Sequence, residues 1–280
     1  MKEPVDSFML SNNHNDLTFT EKMEYNILSV KGLFKSDKPG DVYQAGKYFL
    51  DNLSKKTDVS EKKYAIKIAE KLFQKGLTFD TLHGSIARRL TELYIEKYQF
   101  SKGNLIKEID KCYRIMIESN DRDDLVNAFN FYGLITNTGE LDSVKISYGY
   151  VEKVISLSKK LLEMFPNDGI IGRNVSSRCS DLSFTLFDFK QYIDALTAVK
   201  IAIKADSTYQ YSYTNLPLAY LFNNMYAEAE KEYLKWKDKP WTNDNSAKTF
   251  NGVFLLDIAD LESKGITHPD FAKVKELLKK

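Results

Sequence analysis

The chain has 280 residues, with 40 Lys+Arg against 39 Asp+Glu, a formal charge of +1. That balance excludes a globally basic nucleic-acid binder and an acidic solvating tail. An apolar fraction of 43% with 13% aromatics supplies a buried core, and 13 Gly with 6 Pro are too few for a turn-rich all-β domain. In chain order, residues 1–18 form a polar N-terminal segment without the apolar centre of a signal peptide, and disorder is the expectation there. Thr18 and Glu21 then have capping-box spacing. Ala65, Ile68, Ala69, Leu72 and Phe73 fall at helical steps, as do Leu105, Ile109, Cys112, Tyr113, Met116 and Ile117. Val151, Val154, Ile155, Ser158, Leu161, Leu162 and Phe165 repeat the pattern. Polar and Gly/Pro-bearing stretches at 36–41, 56–58, 101–104, 119–124, 137–143, 166–169 and 239–245 punctuate these runs. The final stretch predicts helices over about 245–263 and 268–279, the second opened by the Thr267/Asp270 pair. No period-two alternation is sustained, so the expectation is about twelve or thirteen helices and no strand. That list describes an all-α bundle or a helical solenoid.

An internal repeat separates these two. Shifted by 34 residues, Leu182 meets Leu216, Phe184 meets Leu218, Leu186 meets Tyr220, Tyr192 meets Tyr226, Ala195 meets Ala229 and Val199 meets Tyr233. A period of 34 is that of the tetratricopeptide repeat (TPR), and the segment 215–236 resembles its consensus. Asn224 takes the turn position usually held by Gly, and Asn tolerates left-handed backbone. Ala229 is the small residue where paired helices cross. Pro217 departs from the pattern and is expected to kink its helix or mark its first turns. Trp236 departs too, where a small residue is usual. The resemblance is strongest over about 176–240. It implies an α-solenoid of TPR-like hairpins, a right-handed superhelix: N-terminal hairpins over 19–100, repeats over 101–240 and capping helices over 241–280. It also implies a concave groove that takes a protein partner, as an extended peptide or a helix. Carried onto this chain, the groove positions are Ser177, Ser180, Phe184 and Phe187 on one repeat. Tyr211, Thr214, Leu218 and Leu221 follow on the next. Hydroxyl and apolar side chains there argue against a carboxylate clamp and for an apolar helix or strand. The alternative for Phe184, Phe187 and Leu221 is packing between neighbouring helices or against the C-terminal pair.

Chemistry leaves little trace. His14, His83 and His268 share no ligand spacing, so no metal site is expected and each reads as a surface or capping residue. Cys112 and Cys179 sit among apolar residues, as inert thiols suited to a reducing cytosol, and a cytoplasmic location is expected. No nucleophile elbow, phosphate loop or dinucleotide fingerprint occurs, and Asp257 and Asp260, which share a helix face, read as solvated charge. The expectation is therefore a non-enzymatic scaffold or adaptor without cofactor. No run of about 18 apolar residues occurs, so no membrane span is expected. One local asymmetry stands out. Between Ser54 and Gly76, seven lysines face only Asp58, Glu61 and Glu70. Lys62, Lys63, Lys67 and Lys71 with Arg88 and Arg89 form a candidate basic surface, and nucleic-acid binding through it is an alternative function. The C-terminal stretch is similar to TPR arrays of bacterial proteins that accompany WD40-type or caspase-like modules. That likeness implies a further alternative, a regulatory or sensor subunit of a bacterial protease or defence system.

Overall fold

The structure, a computed structural model, describes residues 36–52, 58–79, 83–98, 105–137, 144–244 and 246–279. His14, Thr18 and Glu21 lie outside them. The described residues form α1 (Pro39–Asp51), α2 (Val59–Gly76), α3 (His83–Tyr98), α4 (Leu105–Ser119), α5 (Arg122–Asn137) and α6 (Val144–Met164). They continue as α7 (Gly169–Asp188), α8 (Tyr192–Ala205), α9 (Tyr211–Phe222), α10 (Tyr226–Trp236), α11 (Phe250–Ser263) and α12 (Phe271–Lys279). Among the described residues the only extended pairing is an isolated antiparallel bridge between Pro240 and Thr249. The described residues are otherwise all-helical, and most helices adjacent in sequence within a unit pack on one another. The contacts divide it into two units, up to Ala128 and from Phe129.

In the first unit α1 packs on α2, α2 on α3, and α3 on α4. The 56–58 punctuation ends in Asp58, which caps α2 by accepting from the backbone N–H of Ser60 (2.7 Å) and Glu61 (3.0 Å). Ala69, Leu72 and Phe73 from the predicted stripe are fully buried, with Val42 of α1 and Ile86 of α3. Gly46 lets α1 and α2 meet closely, since a Cβ there would lie 2.7 Å from the Phe73 ring.

In the second unit Asp168 caps α7 through Ile170 N (3.0 Å) and Ile171 N (3.1 Å). α7 packs on α8, α8 on α9, α9 on α10, and α7 touches α9 directly. The repeat seen in sequence returns in the backbone. At the end of α7, Lys190 N–H donates to Phe187 O and Gln191 N–H to Leu186 O. At the end of α9, Asn224 N–H donates to Leu221 O and Met225 N–H to Tyr220 O. Lys190 (φ 57°) and Asn224 (φ 60°), 34 residues apart, both take left-handed backbone. Ala195 and Ala229, also 34 apart, are both fully buried. Lysine pays for its Cβ at such a position and glycine does not. Lys190→Gly is therefore expected to raise stability by about 0.5–1 kcal/mol, read from thermal melts; a lower stability would show that Lys190 has another role.

Pro217 sits in the middle of α9, buried, so of its two expected roles it does not mark the first turns, and the helix runs on past it to Phe222. Two further details differ from expectation. α11 starts at Phe250 and not near 245, because Pro240 pairs with Thr249 in the bridge and Trp241 N–H donates to Lys248 O. α12 starts at Phe271, opened by His268: its Nδ1 accepts from Asp270 N–H at 3.2 Å, a role expected of Thr267.

Candidate functional site

The eight groove positions expected from the repeat fall into two groups. Ser180, Thr214, Phe187, Leu218 and Leu221 are each at most 1% exposed, so their side chains serve packing within the chain. Small residues on α7 make this possible. Ser176, Ser180 and Ser183 are buried at helical steps along its face toward α9. Asn215 of α9 reaches into that face: its Nδ2 donates to Ser180 O (2.8 Å), Ser183 Oγ (3.0 Å) and Ser180 Oγ (3.2 Å). Phe187 stands between α8 and α9, 5.2 Å from the ring of Phe222 and 6.5 Å from that of Tyr192. Packing, the alternative reading for Phe187 and Leu221, is what their burial shows.

Ser177, Phe184 and Tyr211 remain half-buried. Ser177 Oγ accepts from the Tyr209 hydroxyl at 3.4 Å. Phe184 lies edge-on to Phe187 at 6.0 Å, with the Lys264 ammonium 5.4 Å above its ring. Lys264 is also ion-paired to Asp260 (2.9 Å) and Asp188 (3.5 Å). Tyr211 is partly covered by its own chain: its hydroxyl donates to Asp244, and its ring meets Trp241 edge-on at 4.9 Å. Asp244 also accepts from Trp241 Nε1 at 2.9 Å. These donors, with Ser246, hold its carboxyl well below the usual carboxylate range.

The surface left on α7 is thus a stripe of Ser177, Asp181, Phe184 and Asp188, with both carboxylates exposed. Asp181 and Asp188 were missed among apolar candidates, although their spacing from Ser177 and Phe184 places all four on one helix face. Lys264 has no local signal, being 76 residues from Asp188.

The basic candidates also divide. Arg88 Nη2 is paired with Asp124 Oδ1 at 2.6 Å and Asp121 at 3.6 Å, and Arg89 Nη1 with Glu92 at 2.7 Å and Asp51 at 3.5 Å. Both arginines are spent within the fold. Lys62 is half-buried on α2, while Lys63, Lys67 and Lys71 are exposed on it. The last three line an open groove of about 570 Å³ with Ile66, Glu70, Gln74 and Lys97 of α3.

Neither cysteine is disulfide-bonded and both are buried. Burial pushes the Cys179 thiol up to about 12, beside Ser158 Oγ at 3.1 Å, so it makes a poor nucleophile. Asp257 on α11 is a strongly displaced carboxyl. Burial pushes it up to about 7, the Thr214 hydroxyl pulls the other way, and Asp260 adds repulsion. Its Oδ2 and the hydroxyl of fully buried Tyr233 make no hydrogen bond. Its sequence reading as solvated charge gives way to a half-sealed carboxyl between α9 and α11. No cluster of three metal-ligating side chains occurs among the described residues. No described helix is long and apolar enough to cross a membrane. Comparison with protein-family models finds no match, and comparison with curated proteins finds none either.

Proposed function

We propose that this chain is a cytoplasmic, non-enzymatic interaction module, a TPR-like α-solenoid that holds a peptide or a partner's helix against α7. The observation that carries the reading is the α7 stripe. A half-buried aromatic, Phe184, stands between exposed Asp181 and Asp188 on a helix whose other faces are packed. The paired turns at Lys190 and Asn224, in the 34-residue register, support the TPR-like part. An aromatic flanked by carboxylates suits a segment bearing an apolar anchor next to a lysine or arginine. Asp188 is already shared with Lys264, and Asp181 lies in the field of Arg178, so both carboxylates contribute to that attraction.

The test is affinity capture from the native host with mass spectrometry, comparing wild type with Phe184→Ala and Asp181→Lys. Asp181 is exposed and Phe184 half-buried, and both variants are expected to keep the helical circular dichroism of wild type. The expected result is a partner held by wild type and reduced at least tenfold by each variant. Identical partner recovery from all three proteins would remove the α7 face from the mechanism.

A further inference from the structure

We infer that the groove between α2 and α3 is a binding site for short anions of linked phosphates, the chemistry shared by inorganic oligophosphates and the phosphate tails of nucleotides. Lys63, Lys67 and Lys71 recur every four residues on α2 and project along one side of it. From first to last they span about 12 Å of helix. Like charges at this spacing oppose one another and weaken a helix, here twice over. Among the described residues, none of the three is ion-paired.

Among the described lining residues the one carboxylate, Glu70, is already used. Both Glu70 oxygens accept from Lys97 Nζ, at 3.1 and 2.8 Å. The Lys97–Glu70 pair thus closes one wall as a neutral unit and leaves three free ammonium groups around it. Acidic residues answer the two arginines of α3, as Asp124 does Arg88 and Glu92 does Arg89. The fold therefore neutralises charge where its own geometry needs it and leaves this face uncompensated.

The lining also says what the site reads. Lys63, Lys67, Lys71 and Gln74 donate, and Ile66 supplies a buried apolar floor. Among the described residues no aromatic lines the groove, so these offer no platform on which nucleobases stack. Ammonium groups act as point charges on phosphate rather than as a geometric fork for one carboxylate. A volume of about 570 Å³ is within the range of small-molecule sites and holds a chain of a few phosphates. The ligand class is accordingly a compact polyanion, recognised by its charge density.

The test is isothermal titration of the full chain at low salt with sodium tripolyphosphate, with ATP and with a twelve-residue oligothymidylate. Saturable binding of tripolyphosphate is expected, displaced by ATP and weakened steeply by added salt. Tighter binding of ATP would assign the nucleotide source, and tighter binding of tripolyphosphate the inorganic one; either supports the site. Lys67→Glu, and Lys63→Ala with Lys67→Ala and Lys71→Ala, are each expected to weaken binding at least tenfold. Lys62→Ala removes the same charge from α2 outside the groove and is expected to leave affinity within twofold. Circular dichroism confirms that the variants stay helical. The inference is overturned if tripolyphosphate does not bind, or if Lys62→Ala costs as much as the groove variants. It is also overturned if the oligonucleotide binds more tightly than both small ligands, which would assign the face to a nucleic-acid backbone.

Discussion

Phe187→Ala is expected to destabilise the second unit by about 3–5 kcal/mol, the cost of emptying a sealed aromatic site. The side chain is fully buried. Its ring joins Phe184 at the surface to Phe222, which in turn stacks on Tyr192 at 4.8 Å and meets Phe271 edge-on at 5.7 Å. One side chain thus helps to lock α7, α8, α9 and α12 together. A loss of that size is a large part of the stability of an ordinary domain. The chain's two tryptophans, Trp236 and Trp241, both belong to this unit, so their fluorescence reports its unfolding in urea. The expected result is a lower midpoint with an unchanged slope. A cost below about 1 kcal/mol would mean that neighbouring rings refill the space or that the packing is looser than described. Phe187→Asp goes further, since an unpaired charge replaces the ring in the same site and the unit is expected not to fold. Loss of a partner with that variant would report unfolding, which is why the binding test rests on Phe184 and Asp181.

Where sequence reading succeeded, local rules decide the outcome. Helical periodicity marks Leu72, Phe73, Val154 and Leu161 as core, and all are buried, because a stripe at steps of three and four has to be covered. The 34-residue register marks Ala195 and Ala229 as small residues, both buried, and Asn224 as a left-handed turn, each a consequence of its own backbone and size. The groove was less legible. Which side of α7 is open depends on how close α9 approaches, and that is set by a long-range contact, Asn215 with Ser180 and Ser183. The buried serines were a signal of close approach, but they read equally as polar groove. Tyr211 is similar. Its partner Asp244 lies in a polar stretch that looked like an ordinary loop, and only the folded chain brings the two together. The lysine face on α2 was visible as a run of like charge; the pairing that removes Arg88 and Arg89 from it was not.

Asp257→Asn is expected to stabilise the second unit at pH 8 and to flatten part of its pH dependence. The argument runs through linkage. The carboxyl is raised to about 7 in the folded chain by burial, while in the unfolded chain it titrates near 4. Between these values the folded state keeps a proton that the unfolded state has lost. Its contribution to stability is complete below pH about 4 and falls by about 1.4 kcal/mol per unit as pH rises. The loss is finished above pH 7, where the carboxylate is charged and still enclosed. The groups that face it are the Thr214 hydroxyl from α9, Tyr233 from α10 and Asp260 on α11 itself, and none is a cation. Asparagine keeps the shape and carries no charge at any pH. The measurement is urea stability of wild type and variant from pH 4 to 8, followed by tryptophan fluorescence. Subtracting one profile from the other is necessary, because depressed carboxyls such as Asp244 lose their stabilisation in the opposite direction, as pH falls. The variant is expected to gain on wild type by about 2–4 kcal/mol across that range, with most of the gain between pH 4 and 7. A flat difference would place Asp257 in water, and the contact between α9 and α11 would then have to be open around it.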